Sequence, residues 1–243
     1  MSDSLLERLA DCATEISRAI VGQEGRGYSG ERDTQYFLDL AADRVALDML
    51  IGWGYRVVSE ESGVSGSGDL TVVVDPIDGS TNCDHGVPFF ATSFGVLRDS
   101  ELIAGLVMNH ATGDVYAAER GAGAYRGESR ITPSSTTRYD SAIVAFSGLP
   151  SRHAGWAQYR ALGAASLEIC LVADGSLDAY SVARYSTLHP WDYLGGLLIA
   201  REAGAHFGEF RGEELVIEER VGRRPYFSST PELLRHVAGL GIL

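Results

Sequence analysis

The fold of this chain is best predicted from the stretch Val72-Val73-Val74-Asp75-Pro76-Ile77-Asp78-Gly79-Ser80-Thr81-Asn82. Its three consecutive valines predict a buried strand, because β-branched residues suit a pleated surface and nothing here alternates with polar residues. Pro76 donates no backbone hydrogen bond, so we expect it to end the ladder. Asp75 and Asp78 then lie at the carboxyl end of a buried strand, where α/β folds often carry their functional residues.

The same stretch carries two kinds of binding group. Its two carboxylates repel each other unless a cation lies between them. Gly79, Ser80 and Thr81 can offer backbone N–H groups and hydroxyls to an anion, as a nest or a helix N-terminus does. Carboxylates for a metal beside amides for a phosphate indicate metal-assisted phosphoryl chemistry. Taken alone, a D-x-x-D-G pattern is equally compatible with an Asx-Pro turn that closes a hairpin.

Length and composition narrow the class of protein. The 243 residues suffice for one large domain or two small lobes. A net charge of −13 and a pI near 4.8 argue against binding to nucleic acid. The sequence contains no lysine, so a phosphate that approaches clustered carboxylates would have to be met by bound cations.

Nothing in the sequence indicates secretion or a membrane. The first twenty residues have the pattern of an amphipathic helix with interspersed charges, not that of a signal peptide, and no apolar run approaches the ~20 residues that cross a bilayer. Cys12, Cys83 and Cys170 are odd in number and far apart, which fits neither a disulfide framework nor a zinc cluster. We therefore expect a cytoplasmic protein with free thiols.

The first half of the chain predicts helices followed by an antiparallel meander. Helical spacing covers residues 1–20 and 36–50, and the glycine-rich segment 22–30 between them is either a lid or a flexible connector. A strand at 55–59 leads into Glu60-Glu61, and a loop is expected over 63–68. After the opening stretch, period-two patterns and turn residues predict strands at 91–97, 102–109, 114–118 and 122–125.

The second half alternates between the two element types. Strands are predicted at 142–146, 178–182, 215–218 and 226–228, and helices at 164–173, at 192–203 and from Pro231 onward. This alternation predicts an α/β half. We therefore expect an α+β lobe over residues 1–135, with the meander and most of the carboxylates, and an α/β lobe over residues 136–243.

Acidic residues recur at the ends of the predicted elements, at Asp43, Glu60, Asp75, Asp78 and Asp192. Hard cations such as Mg²⁺ take oxygen ligands, so the last four, with the Ile77 carbonyl, could share two or three such ions. Simpler interpretations stay open for two of them. Asp192 opens a helix and could be only its cap, and Glu60 with Glu61 could be a solvated pair.

These residues resemble the signatures of the inositol monophosphatase family. Its members are Mg²⁺-dependent, lithium-sensitive phosphomonoesterases. The similar segments, in the family's order, are Ser59-Glu60-Glu61-Ser62, Asp75 to Asn82, and Trp191-Asp192 with Gly195, Gly196 and Ala203-Gly204. Residues 121–125 and 162–165 also resemble family segments. The resemblance implies a layered α-β-α-β-α sandwich, a homodimer, and two or three Mg²⁺ ions that Mn²⁺ can replace and Li⁺ would inhibit.

The resemblance also implies residue roles. Metal ligands would be Glu60, Asp75, the Ile77 carbonyl, Asp78 and Asp192. Substrate contacts would come from these same residues except Glu60, from the backbone N–H groups of Gly79 and Ser80, and from Gly163, Ala164 and Ala165 on the leaving-group side. Asp43 would orient the Ser80 hydroxyl, and Ser80 with Glu60 would position the attacking water.

The chain departs from the family pattern in several places. Ser80 stands where Thr is usual, and Cys83 stands where an aromatic residue is usual. Segment 22–30 lacks the lysine that the family commonly carries there near a third metal, so Arg26, Arg32 or Asp33 would have to substitute. The stretch from Ser181 to Pro190 lacks the acid that accepts hydrogen bonds from inositol hydroxyls. It offers Arg184 instead, which is either surface decoration or a contact for a second anionic group.

The sequence thus predicts Mg²⁺-dependent hydrolysis of a small phosphate monoester, first of all inositol monophosphate. Fructose 1,6-bisphosphate, histidinol phosphate and adenosine 3′,5′-bisphosphate are alternative substrates. A non-catalytic metal-binding protein of the same fold is the hypothesis from another class. The missing lysine and missing substrate acid support it, but the presence of every inferred metal ligand argues against it.

Overall fold

A computed structural model describes residues 4–23, 27–31 and 35–240 of the chain. Six helices lie within these ranges: α1 (Leu5–Gly22), α2 (Phe37–Gly52), α3 (Ser80–His85), α4 (Ala165–Ala173), α5 (Pro190–Ala203) and α6 (Pro231–Gly239). A 3-10 turn covers Tyr139–Ser141. Local chemistry fixes several ends. The Ser4 hydroxyl accepts the Glu7 N–H at the start of α1, and Thr230 with Pro231 begins α6.

The larger sheet has eight strands in the order β2-β1-β3-β4-β5-β6-β7-β8. Their bounds are β1 (Arg56–Ser59), β2 (Gly63–Ser65), β3 (Leu70–Asp78), β4 (Ala91–Arg98), β5 (Glu101–Asn109), β6 (Val115–Glu119), β7 (Gly123–Arg126) and β8 (Ser129–Arg130). Only the β1–β3 pair is parallel, and the predicted meander accounts for β4 to β7.

The smaller sheet has five strands in the order β10-β9-β11-β13-β12. Their bounds are β9 (Ile143–Ser147), β10 (Gln158–Arg160), β11 (Ala179–Val182), β12 (His206–Glu209) and β13 (Pro225–Ser228). Strands β10, β9 and β11 are parallel, and β13 and β12 follow in antiparallel orientation.

The elements stack in five layers. Helices α1 and α2 cover one face of the larger sheet, where Leu9 and Leu38 pack with Val72 and Phe94. Helices α4 and α5 lie between the two sheets, in a core that joins residues from both. Helix α6 covers the outer face of the smaller sheet through Leu233 and its neighbours. The predicted α-β-α-β-α sandwich is confirmed.

Helix α5 lies unusually close to the larger sheet. A Cβ atom added to Gly95 of β4 would lie 2.6 Å from Leu194 Cβ, and one added to Gly105 of β5 would lie 2.6 Å from the Gly195 carbonyl oxygen. A Cβ on Gly195 itself would lie 2.8 Å from the Phe94 carbonyl oxygen. Real side chains do not tolerate such distances, so glycines let the helix backbone rest directly on the strands.

Some predicted elements were wrong. Pro76 does not end its strand, because β3 continues to Asp78 across a register shift that begins after Asp75. Residues 215–218 form no strand, and β12 at 206–209 pairs with β13 instead. Part of the expected loop at 63–68 is the edge strand β2, and α3 and β10 were not predicted. The two sheets use residues 56–130 and 143–228, but they share a core, so the lobe boundary stays a prediction.

Among the described residues, no helix is both long enough and apolar enough to span a bilayer.

Candidate metal and phosphate site

Three carboxylates meet where the parallel pairing of β1 with β3 ends. Ser59 pairs with Val74, and the Glu60 N–H donates to the Val74 carbonyl over 3.2 Å, so Glu60 and Asp75 lie side by side just beyond this pairing. The start of α5 brings Asp192 to the same place. One oxygen from each of Glu60, Asp75 and Asp192 lies within 4.8 Å of the other two. Residues that are 132 positions apart in the chain thus form one cluster of oxygen donors.

The carboxylates of this cluster are held in place by backbone donors. Asp75 is 2% exposed, and its Oδ1 accepts the Ile77 N–H over 3.0 Å. Asp192 occupies the third position of α5, and its Oδ2 accepts the His189 N–H over 2.7 Å. Asp192 therefore has the capping role that the sequence allowed, since it accepts the N–H of the cap residue His189, and it is also a member of the cluster.

Electrostatics in the cluster favour the protonated acids. Burial, followed by repulsion from Glu60, Asp78 and Asp192, raises the pKa of Asp75 well above its ordinary value. Burial, followed by repulsion from Glu61, raises the pKa of Glu60 to about 7. The pKa of Asp192 is also raised well above its ordinary value, by burial and then by Glu60. Such a set of mutually repelling oxygen donors, one buried and two half-buried, fits a hard divalent cation, which would relieve the repulsion.

Asp78 lies beside the cluster and has other partners. Its carboxylate accepts the Ser166 N–H over 2.7 Å, the Ser166 hydroxyl, and the Ala165 N–H over 3.2 Å. Burial raises the pKa of Asp78 to about 6, although the hydrogen bonds from Ser166 and Ala165 oppose that shift. Asp78 thus ties β3 to the start of α4, and its role as a metal ligand stays a prediction.

Asp43 lies in the second turn of α2, next to the turn that carries Glu60. It is 7% exposed, and its Oδ1 accepts the hydroxyls of Ser59 and Ser62, which flank Glu60 and Glu61. The predicted contact of Asp43 with the Ser80 hydroxyl stays a prediction.

The first turn of α2 carries a buried acid that the sequence reasoning missed. Asp39 is 4% exposed and accepts the Tyr36 N–H over 2.8 Å. The Tyr36 hydroxyl donates to the Thr81 hydroxyl over 3.2 Å, so this turn reaches the helix that follows Gly79. An acid three residues after a helix cap was the available signal.

The glycine turn after β3 faces the proposed leaving-group segment. Gly79 has a φ of 88°, and α3 begins at the next residue, Ser80. A Cβ on Gly79 would lie 2.9 Å from the Gly163 carbonyl oxygen and 3.1 Å from Ala164 Cβ, so this approach requires glycine. Asn82 reinforces it, because its Nδ2 donates to the Leu162 carbonyl over 2.7 Å. The structure thus brings Gly79 together with Gly163 and Ala164, and contacts of Ser80 and Ala165 in this segment stay a prediction.

Glu168 of α4 supports the same segment and was also missed. It is 1% exposed, and its Oε1 accepts the Leu162 N–H over 2.9 Å. Burial raises the pKa of Glu168 to about 8, so this side chain is mostly uncharged at neutral pH. Its sequence context is an ordinary apolar helix, which gave no sign of this contact.

Two arginines differ in their relation to the cluster. Arg184, the predicted contact for a second anion, is exposed, and its guanidinium carbon lies 5.6 Å from the Tyr185 ring centroid. Arg220 was not predicted, and its guanidinium carbon lies 5.0 Å from the centroid of the Trp191 ring. The positive charge of Arg220 lowers the pKa of both Glu60 and Asp192 against the effect of burial.

The loop that carries Arg220 is anchored at several points. Leu188 and Arg223 exchange backbone hydrogen bonds of 2.9 and 2.7 Å, and the Tyr193 hydroxyl donates to the Leu215 carbonyl over 2.9 Å. Arg56 pairs with Glu218 over 2.6 Å. Residues 213–224 are therefore held near the cluster by contacts between distant parts of the chain, which no local pattern reveals.

Part of the predicted lid segment contacts α3. The Gly27 N–H donates to the Asp84 carboxylate over 2.8 Å, and the Tyr28 ring packs at a tilt against Tyr36 with centroids 4.7 Å apart. Arg26, Arg32 and Asp33, the proposed substitutes for the family's loop lysine, lie outside the described residues. The choice between lid and connector stays a prediction.

Comparison with known proteins agrees with this geometry. The family model described as the inositol monophosphatase family matches residues 13–237. A fructose-1,6-bisphosphatase/inositol-1-monophosphatase of Archaeoglobus fulgidus is 38% identical over 72% of this chain and 71% of its own. An inositol-1-monophosphatase of Mesorhizobium japonicum is 30% identical over 73% and 74%. The crystal structure of an inositol monophosphatase–fructose 1,6-bisphosphatase superposes with a TM-score of 0.87 at 30% identity and covers 98% of this chain and 100% of that one.

The layered fold, the acidic cluster and these relatives together define a phosphatase that hydrolyses small phosphate esters. Within that class, the chain belongs to the inositol monophosphatase family, as its sequence motifs predicted.

Proposed function

We propose that this enzyme hydrolyses inositol monophosphate in a reaction that depends on Mg²⁺ and uses a metal-activated water. The observation that carries the proposal is the convergence of Glu60, Asp75 and Asp192 oxygens within 4.8 Å of one another, close to the Gly79–Ser80 turn. Carboxylates alone would repel a phosphate dianion, so this arrangement makes sense only if cations are bound there.

The donor chemistry favours Mg²⁺, which takes oxygen ligands. Glu60, Asp75 and Asp192 would hold the first ions, with Asp78 and the Ile77 carbonyl as further ligands. Two or three ions would fit this ligand number, Mn²⁺ would substitute, and Li⁺ would inhibit. When bound, such ions supply a water of lowered pKa and neutralise charge on the phosphate oxygens.

The chain's own groups would bind and orient the reactants. The N–H groups of Gly79 and Ser80 at the start of α3 would hold phosphate oxygens. Glu60 and the Ser80 hydroxyl would aim the attacking water, with Asp43 ordering the Glu60 turn through Ser59. Gly163, Ala164 and Ala165 would contact the leaving group opposite that water, because Asn82 and Gly79 fix them beside the phosphate turn.

Magnitudes support a mechanism in which charge neutralisation dominates. Uncatalysed hydrolysis of phosphate monoesters is so slow that accelerations up to ~10²¹-fold are known. A single general base contributes roughly 10²–10⁴-fold. The cluster of ligands is therefore the larger contributor, and preorganisation of its oxygens is what the fold supplies.

The substrate is the less constrained part of the proposal. The names of two relatives join inositol monophosphate with fructose 1,6-bisphosphate, and the second of these carries an additional anionic group. Arg220 is the better placed of the two arginines to meet added negative charge, because it already acts on Glu60 and Asp192. Fructose 1,6-bisphosphate is accordingly the leading alternative, ahead of histidinol phosphate and adenosine 3′,5′-bisphosphate.

A panel of phosphomonoesters assayed with Mg²⁺ and with EDTA tests the proposal. We expect phosphate release from inositol 1-phosphate that EDTA abolishes, that Mn²⁺ restores, and that Glu60→Gln reduces at least about a hundredfold. Glu61→Gln is the matched control and should retain activity. Activity that persists in EDTA would overturn the proposal. A protein that binds Mg²⁺ but hydrolyses no substrate of the panel would also overturn it, and would favour a non-catalytic metal-binding protein.

We also propose a cytoplasmic homodimer that binds neither nucleic acid nor membranes. Free cysteines at Cys12, Cys83 and Cys170 support a reducing compartment, and the acidic composition opposes contact with nucleic acid. Sedimentation of the purified protein would test the dimer, and a monomer at micromolar concentration would contradict it.

A further inference from the structure

Behind the metal cluster lies a short chain of hydrogen bonds that the proposed mechanism does not use. The Thr92 hydroxyl of β4 donates to the Pro76 carbonyl over 2.8 Å, and the same hydroxyl lies 2.7 Å from His110 Nε2. Thr92 is 0% exposed. Thr92 lies on β4, the first strand of the meander, and His110 directly follows β5, the second.

The direction of this chain follows from the number of protons. A threonine hydroxyl has one hydrogen, and Thr92 gives it to Pro76, because a carbonyl can only accept. The contact with His110 must then run the other way, with Nε2–H as the donor to the Thr92 oxygen. Burial lowers the pKa of His110 to about 4, so the ring is neutral at physiological pH and carries its proton on Nε2. Its Nδ1 is buried and has no partner among the described residues, which an acceptor tolerates better than an N–H would.

The series of hydrogen bonds continues from the Pro76 carbonyl through one peptide unit to a carboxylate of the cluster. The carbonyl of Pro76 and the N–H of Ile77 belong to the same rigid plane. Thr92 holds one end of that plane, and the other end donates to Asp75 Oδ1 over 3.0 Å. Hydrogen bonds in series also polarise one another. A tilt of this peptide would move the Ile77 N–H and thus turn the Asp75 carboxylate that it holds.

The plane needs such support because the sheet does not provide it. Pro76 has no N–H, and the β3–β4 register breaks between Asp75 and Asp78. The ordinary ladder bonds that would fix the peptide are therefore interrupted beside Asp75. A side-chain hydroxyl from the neighbouring strand takes their place.

We propose that Thr92 and His110 are positioning residues that orient Asp75 for metal binding through the Pro76–Ile77 peptide. The inference rests on the proposed metal site, and it assigns these two residues no contact with substrate or metal. Outer partners of metal ligands commonly change metal affinity 10–100-fold when removed.

Calorimetric titration with MgCl₂ tests the inference independently of hydrolysis. We expect Thr92→Val to weaken Mg²⁺ binding about tenfold, Thr92→Ser to restore it to within about twofold, and His110→Phe to weaken it by a smaller factor. The double variant should bind no more weakly than Thr92→Val, because both changes interrupt one chain. Half-saturating Mg²⁺ in the assay should shift by the same factors, while kcat at saturating Mg²⁺ changes little.

Ser93→Ala is the matched control. Ser93 is the next residue of β4, is fully buried, and faces α5, where its hydroxyl has no partner among the described residues. We expect it to leave Mg²⁺ affinity unchanged. The inference is overturned if folded Thr92→Val and His110→Phe bind Mg²⁺ as the wild type does, or if Ser93→Ala weakens binding equally. A wild type that binds Mg²⁺ but hydrolyses nothing would refute the proposed function alone, and a wild type that binds no Mg²⁺ would refute both.

Discussion

Two neighbouring regions of the molecule are built differently. One is the end of β3, and the other consists of loops 183–189 and 213–224, which we call the rim. At the end of β3, Asp75 and Asp78 are buried and held by backbone and hydroxyl donors within hydrogen-bonding distance. The rim carries Arg184, Tyr185 and Arg220, which are exposed and contact aromatic rings. Groups that are held this tightly are suited to catalysis, whereas exposed cations on anchored loops are suited to substrate selection.

The largest expected effect lies at the buried end. Asp75→Asn keeps the size of the side chain but removes the charge at the centre of the cluster, so we expect kcat to fall at least about 10³-fold and Mg²⁺ binding to weaken in calorimetry. Asp69→Asn, an exposed change just before β3, is the control and should keep wild-type activity. An active Asp75→Asn enzyme would contradict the assignment of catalysis to the end of β3, because the catalytic groups would then lie elsewhere.

The second effect is on stability and appears without metal. The pKa of Glu60 is about 7 in the folded state, above its ordinary value of 4.5, so the folded protein holds a proton that the unfolded chain releases. The stability that Glu60 contributes is therefore complete below pH 4.5 and is lost as the pH rises to about 7, by about 3 kcal/mol in all. Urea unfolding in EDTA measures this loss. Saturating Mg²⁺ should flatten the loss. Glu60→Gln should remove only the part due to Glu60, because the raised pKa values of Asp75, Asp78 and Asp192 add a loss of the same sign. A loss that is unchanged in Glu60→Gln would show that Glu60 does not contribute to it.

The third effect is expected at Ser80, which begins α3 two residues after the end of β3. Ser80→Ala should lower kcat about ten- to hundredfold with little change in KM, because the hydroxyl would aim the attacking water without binding the substrate. Ser80→Thr keeps the hydroxyl and should restore activity. An undiminished kcat in Ser80→Ala would remove Ser80 from the mechanism.

The smallest effect is expected at the rim. Arg220→Met should raise KM about three- to tenfold at constant kcat, and more for fructose 1,6-bisphosphate than for inositol 1-phosphate, since the loss is one partly solvated charge. Arg184→Met should change KM less than about twofold, because its guanidinium lies on the exposed Tyr185. The reverse result would assign selection of the second anion to Arg184, as the sequence first suggested.

The two regions also differ in how well they can be predicted. Runs of valine, period-two alternation and glycine turns predicted most of the strands correctly, because these strands depend on residues that are close together in the sequence. The motifs likewise located Glu60, Asp75 and Asp192, since each follows or opens a strongly patterned element. The structure then brought their oxygens together.

What the sequence missed depends on contacts across the fold. Arg220 lies near the cluster because Leu188, Tyr193 and Arg56 anchor its loop, and the loop itself resembled a strand. Pro76 was expected to stop β3, but the Thr92 hydroxyl of β4 donates to the Pro76 carbonyl and the strand continues. Neither the contacts that anchor the Arg220 loop nor the Thr92–Pro76 hydrogen bond can be predicted from the local sequence pattern.

The glycine contact between α5 and the larger sheet has a consequence for ion selection. Asp192 reaches the cluster on a helix whose backbone rests on β4 and β5 with no side-chain layer between them. No repacking can therefore absorb a change in that spacing, and an added methyl at Gly95, Gly105 or Gly195 must move the helix. Mg²⁺ binds oxygens at about 2.0–2.1 Å and Ca²⁺ at about 2.3–2.6 Å. We therefore expect substitutions at these three glycines to change which of the two ions the proposed metal site prefers, although none of the three residues would bind the ion.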